Sequence, residues 1–177
     1  MNVELKLRHD VVKMIANPTG IGVELGVAEG IFSERVLQHS QLSYLFSIDM
    51  YAGDRGHNVE QYKRALNRLL PYKERNSILK MRFDEALDLF PDEYFDFIYI
   101  DGYAHTGQED GRTLEDWYPK LKSGGIFSGD DYAPHWPKVI REVDAFVARN
   151  GLQLNIINCS EPGSGSSEFP TWWVRKN

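Results

Sequence analysis

The chain has 177 residues, 42% of them hydrophobic and 12% aromatic, enough to bury one sizeable core within a single domain spanning 1–177. A formal charge of -6, from 20 Lys plus Arg against 26 Asp plus Glu and with no basic cluster, argues against a nucleic-acid partner. Met1 to Arg8 scatters charges among its apolar residues, so neither a signal peptide nor a membrane anchor is expected, and the single Cys159 agrees with a cytoplasmic protein in which it fills space.

Leu7, Val11, Met14 and Ile15 share one helical face, which predicts a helix over Val3 to Ala16 lying on the sheet or the site. Asn17-Pro18-Thr19-Gly20 breaks it. The apolar run Ile21 to Leu25 predicts a first strand, Gly26 to Gly30 a glycine turn, and Phe32, Val36 and Leu37 a helix. Such a turn either packs a helix onto a sheet or lets a ligand lie against the backbone where a Cβ would hold it off, and its context must decide.

Tyr44 to Ile48 predicts a second strand ending at Asp49, followed by a polar loop containing Gly53, Asp54, Gly56 and His57 and by an amphipathic helix carrying Val59, Tyr62, Leu66, Leu69 and Leu70. Ser77 to Met81 and Phe95 to Ile100 predict the third and fourth strands, with a short helix, Glu85 to Phe90, between them. Leu114, Trp117, Tyr118 and Leu121 mark a helix closed by Gly124-Gly125. Ile126 to Ser128 is a fifth strand, Pro137 opens a helix that stops at Asn150-Gly151, and Leu152 to Ile157 and Thr171 to Val174 complete a hairpin around the loop Glu161 to Ser167. This alternation predicts an α/β fold: a Rossmann-like, doubly wound, seven-stranded sheet, mostly parallel with an antiparallel C-terminal strand.

In such a sheet ligands bind beyond the carboxyl ends of the strands, and there the chain is acidic. Asp49 follows strand two, Asp84 strand three, Asp101 strand four, and Asp130 and Asp131 strand five. A carboxylate at the end of strand two can accept both hydroxyl hydrogens of a ribose, so Asp49 and the glycine turn point to a nucleoside. Asp101, Asp130 and Asp131 together would repel one another unless a cation neutralised them, and an all-oxygen set suits a hard divalent ion such as magnesium. Each alone reads equally as a cap or a solvated acid. His105, four residues past Asp101, can take a proton near neutrality; His9 and His39 read as helix surface, and His57 and His135 as loop residues able to line a pocket.

The run Glu24-Leu25-Gly26-Val27-Ala28-Glu29-Gly30 resembles motif I of the class I S-adenosylmethionine-dependent methyltransferases, and Asp49 stands at that family's ribose acid. Ile100-Asp101-Gly102 and Gly125 to Tyr132 are similar to the metal-dependent small-molecule O-methyltransferases, macrocin- and cephalosporin-pathway types among them. The resemblance implies an enzyme with S-adenosylmethionine as cofactor, bound by Glu24, Gly26, Val27, Ala28, Gly30, Asp49, Met50, Phe83, Asp84 and Asp101, with Phe83 over the adenine and Asp84 at its amino group. It also implies Mg2+ held by Asp101, Asp130 and Asp131. Relatives commonly carry His or Lys three residues after the first metal acid, whereas this chain has Ala104 there and His105 next.

The expected reaction is methylation of a small-molecule hydroxyl, of a sugar or a phenol, with His105 as the catalytic base. The loops Ala52 to Asn58, Tyr103 to Gly111 and Tyr132 to Trp136 frame the acceptor. With one N-terminal helix as its only cover, the acceptor site is either open or completed by a second subunit. The alternative is a non-catalytic S-adenosylmethionine-binding module or partner subunit; an NAD-linked enzyme is disfavoured by the missing third glycine.

Overall fold

A computed structural model describes residues 4–53, 56–158 and 169–177. Met1 to Val3, Asp54, Cys159 and the loop Glu161 to Ser167 lie outside the described residues. The strands are β1 Ile21–Leu25, β2 Tyr44–Asp49, β3 Asn76–Lys80, β4 Phe95–Ile100, β5 Leu121–Gly129, β6 Asn155–Ile157 and β7 Thr171–Arg175, in one sheet of order β3-β2-β1-β4-β5-β7-β6. The first five pair in parallel, and β7 enters between β5 and β6, antiparallel to both. This is the expected seven-stranded, mostly parallel sheet. Among the described residues no helix is long and apolar enough to cross a membrane.

β4 is buried along its whole length, so both of its faces are apolar except at Asp96, whose carboxylate accepts from Asn17, the Ile21 amide and Lys122. Successive side chains serve opposite faces: Ile98 and Ile100 join Phe127, Trp117, Phe146 and Trp172 in one core, while Phe97 and Tyr99 join Phe32, Val36, Leu37 and Trp173 in the other. Helices α1 Ile31–His39, α2 Val59–Leu69, α3 Phe83–Ala86, α4 Gly107–Asp110, α5 Arg112–Trp117 and α6 Pro137–Arg149 flank the sheet. Asn58 caps α2 by accepting from the amides of Glu60 and Gln61, and Pro137 opens α6 as expected.

Three elements differ from expectation. The N-terminal helix is a seven-residue 3-10 helix, Arg8–Met14, because the Asp10 carboxylate accepts the Lys6 and Leu7 amides at 2.8 Å each and tightens the turn. That tighter winding brings Arg8, His9, Asp10, Val11 and Val12 all into buried positions. His9 is therefore not helix surface but stacks on His39 at 4.4 Å between centroids.

The pair Gly124-Gly125 does not cap a helix. β5 begins at Leu121, and the register with β4 jumps from Phe95–Leu121 to Phe97–Ile126, a bulge that Gly124 enters at φ 78°. Lys176 closes it, accepting the Gly124 amide and donating to the Gly125 carbonyl.

After β4 the chain is left-handed at Tyr103 and again from Gly107 through Gly111, with Gln108, Glu109 and Asp110 at φ 51°, 58° and 54°. A left-handed non-glycine residue costs about 1–2 kcal/mol. The Thr106 hydroxyl, accepting from the Glu109 amide at 3.0 Å, and the Gly111 amide on the Gly107 carbonyl at 2.9 Å hold this turn, with α6 behind it.

Candidate functional site

The strand order reverses between β1 and β4, and the cleft opens there, at the carboxyl ends of the strands. It encloses about 220 Å³ and opens to solvent at its mouth.

Its floor is the glycine turn. The Gly26 amide donates to the Ile48 carbonyl at 2.8 Å and the Asp101 amide to that of Leu25 at 2.7 Å, which draws the ends of β1, β2 and β4 together. At φ 97°, Gly26 would place a Cβ 2.1 Å from the Asp101 carbonyl oxygen. This glycine is therefore required by the approach of β4, whatever lies in the cleft. Gly30, at φ 77°, starts α1.

Asp49 braces the turn. Its Oδ2 accepts from the Val27 and Ala28 amides at 3.0 Å each, its Oδ1 accepts from the Tyr51 amide at 3.0 Å, and His57 Nδ1 lies 3.5 Å away. Burial opposes its charge, but the His57 contact and the amides of Ala28, Tyr51 and Val27 outweigh it and hold the carboxyl below its usual range. Asp49 and Met50 both line the cleft.

Glu24 lies beneath the turn, 1% exposed, and does not line the cleft. Ser33 donates to its Oε2, Ser47 donates to Ser33 at 3.1 Å, and Asn76 donates to Ser47 at 2.9 Å. Its other oxygen has no hydrogen-bond partner among the described residues. Burial pushes the Glu24 carboxyl up to about 8, against the pull of Ser33 and Arg8.

The opposite wall comes from the chain after β4 and β5. Phe83 packs under Gly102, where a Cβ would stand 2.7 Å from its ring, and meets Tyr103 edge-on at 5.1 Å. Asp84 points away and forms a two-point pair with Arg82 at 2.9 and 3.0 Å; Arg82 lines the cleft and Asp84 does not. His105, exposed on the 3-10 turn Ala104–Thr106, lines the mouth with Asp131 and Trp136.

The acid group holds a residue the sequence reading missed. Arg8, 4% exposed, reaches in from the N-terminal 3-10 helix and donates to Asp101 through Nη2, with Nη1 at 3.4 Å from Asp130 Oδ2. Its Nε donates to the Tyr99 hydroxyl at 2.7 Å, and the guanidinium carbon lies 4.2 and 4.9 Å from the centroids of Phe32 and Tyr99. Burial lifts the Asp101 carboxyl even against Arg8; burial and then the charges of Asp101 and Asp130 lift that of Asp131, which sits at φ 65°.

A divalent ion would need the oxygens of Asp101 and Asp130 that face this guanidinium. The expected magnesium set, Asp101, Asp130 and Asp131, therefore does not fit a metal as arranged, and among the described residues no group of three or more His, Cys, Asp or Glu is placed to hold one. Arg8 was not legible because its partners Tyr99 and Asp101 stand 91 and 93 residues away.

The cleft thus gathers Gly26, Asp49, Met50, Phe83, Asp101, His105 and Asp131 of the expected site, together with His57, Tyr103 and Trp136 of the expected framing loops. Glu24 supports it from below, and Asp130 lies buried behind Arg8.

A family model described as a methyltransferase domain matches residues 23–132. None of the curated proteins matches this sequence significantly. Among solved structures, the chain is similar to an rRNA methylase from Streptococcus thermophilus (13% identity, TM-score 0.68, covering 95% of this chain and 93% of that one). It is similar also to an O-methyltransferase from Bacillus cereus in complex with SAH (14%, TM-score 0.67, 95% and 80%). A third is an SAM-dependent O-methyltransferase from Thermotoga maritima (13%, TM-score 0.66, 94% and 62%). At these identities the likeness is one of fold.

Proposed function

This chain belongs to the methyltransferase-domain family and is an S-adenosylmethionine-dependent methyltransferase, and we propose that it methylates the hydroxyl of a small molecule. One observation carries the reading: a single cleft at the strand-order reversal combines a braced glycine turn and Asp49 on one wall with His105, a proton acceptor, and Asp131 on the other.

The residues present fit the cofactor. With Oδ2 of Asp49 engaged by the Val27 and Ala28 amides and His57, its Oδ1, which accepts from the Tyr51 amide, can accept a ribose hydroxyl as well, and the unpartnered Glu24 oxygen beneath the turn suits a cationic amino group. Phe83 and Tyr103 offer aromatic surface for a base, and Met50 lies beside them, its sulfur 3.9 Å from the Tyr103 hydroxyl. When bound, S-adenosylmethionine supplies an activated methyl group on a sulfonium. The chain's own task is to orient the acceptor against it and remove a proton, which falls to His105 at the mouth. Trp136 and Tyr103 provide flat surfaces suited to a sugar ring or a phenol. No step in this reading passes through a metal.

In calorimetric titration of S-adenosylhomocysteine, Asp49→Ala is expected to weaken binding about 10- to 100-fold, the cost of losing a charge-assisted acceptor and the brace on the turn. Unchanged affinity would remove Asp49 from the cofactor site. The acceptor class is tested with isotopically labelled S-adenosylmethionine and a panel of sugars, phenols and amines. Label carried only by amines would overturn the hydroxyl assignment.

A further inference from the structure

Two neighbouring carboxylates, Asp130 buried and Asp101 partly exposed to the cleft, need a cation, and in this fold the chain brings its own. Arg8 sits between Asp101 and Asp130 with its guanidinium fixed on every side. Nε is held by the Tyr99 hydroxyl, which in turn shares a hydrogen bond of 3.0 Å with Thr171. Phe32 and Tyr99 cover its faces. The 3-10 helix that carries it is anchored at its far end, where Arg175 donates to the Met14 carbonyl at 2.6 Å. Asp10 fixes the near end through the amides of Lys6 and Leu7.

We infer that Arg8 is the resident cation of this acid centre: it occupies the place a divalent ion would require and positions Asp101 and Asp130, so that the centre works without metal. A dication brought to the same oxygens would face a fixed positive charge at contact distance. The planar fork of a guanidinium suits this place, since it serves two carboxylates and a phenol at once. Arg8 touches none of the proposed reacting groups and is a positioning residue. Its part in catalysis rests on the methyl-transfer reading; its exclusion of metal does not.

The test is an electron paramagnetic resonance titration, in which Mn2+ bound to protein disappears from the free-ion signal. The full-length wild type is expected to leave the signal at full amplitude. Arg8→Met, which empties the place between the acids, is expected to remove one ion per chain, Arg8→Met combined with Asp130→Asn to restore the signal, and Arg8→Lys to behave as the wild type. Mn2+ taken up by the wild type and released by Asp130→Asn overturns the inference. So does an Arg8→Met variant that melts cooperatively yet takes up no ion. The wild-type measurement decides even if Arg8→Met does not fold. Calorimetry with S-adenosylhomocysteine on the same wild-type sample separates the two readings: absent binding there would undo the cofactor assignment and leave the Mn2+ result standing.

Discussion

Gly26→Ala is expected to cost about 3 kcal/mol or more of folding free energy and to abolish S-adenosylhomocysteine binding. Two effects add: the left-handed backbone, about 1–2 kcal/mol for a residue with a Cβ, and forced overpacking, about 1–3 kcal/mol. The second is severe here because the new methyl group would meet the Asp101 carbonyl oxygen at 2.1 Å, and that atom belongs to backbone at the end of a central strand. Relief requires β1 and β4 to part where they form the floor of the cleft. Gly124→Ala is the control, since its φ is 78° with nothing within 4 Å of the added Cβ. It carries the conformational cost alone, about 1–2 kcal/mol. Urea unfolding of both variants gives the comparison; equal midpoints would show that the Asp101 carbonyl yields.

The second large effect concerns Glu24, whose carboxyl burial raises from 4.5 to about 8. A carboxyl that is harder to ionise when folded contributes stability that is fully present below the unfolded value and lost as pH rises through the folded one. Stability should therefore fall between pH 4.5 and about 8, by about 1.4 kcal/mol per pH unit, or about 3 kcal/mol by neutrality. Glu24→Gln is expected to abolish this slope and, at neutrality, to be more stable than the parent by about 3 kcal/mol. Its amide can still pair with Ser33. Denaturant unfolding across that range measures the effect, and a slope unaltered by the substitution would assign the titration to another group. A cationic amino group received by Glu24 would favour its ionised form, so cofactor binding below about pH 8, where the free carboxyl still holds its proton, should release that proton, visible as an enthalpy that changes with the buffer.

The sheet was legible because burial leaves a local mark. Phe97 to Ile100 alternates between two cores and is apolar throughout, and the sequence between the final two strands carries no helical periodicity, which announces the antiparallel insertion of β7. The location of the site was legible for a related reason, since acids at the ends of parallel strands converge wherever the order reverses. What could not be read depends on distant partners. The glycine of the turn read as either packing or room for a ligand, and the Asp101 carbonyl that requires it lies at the end of another strand. Gly124-Gly125 looked like a helix stop because its true partner, Lys176, lies at the far end of the chain. Gln108, Glu109 and Asp110 carry no glycine to announce a left-handed turn, which the packing of α6 imposes. The acids suggested a metal because a charge cluster in sequence shows its own sign and not its counter-ion, and the counter-ion is Arg8.

The Tyr99 phenol has a consequence for how the molecule comes together. From the middle of the sheet it joins Arg8, 91 residues before it, to Thr171, 72 residues after it, while Arg175 reaches Met14 across 161 residues. Loops of this span close late, because their entropy must be lost before any contact compensates for it. The parallel strands and the glycine turn can form while the two ends are still searching. In such an intermediate the floor of the cleft exists, but Asp101 and Asp130 have no cation and repel each other. Closure of the chain ends then completes the contacts of Arg8 with Asp101 and Asp130, and refolding should show sheet formation by far-ultraviolet circular dichroism ahead of the fluorescence of Trp172 and Trp173, which lie on the closing strand.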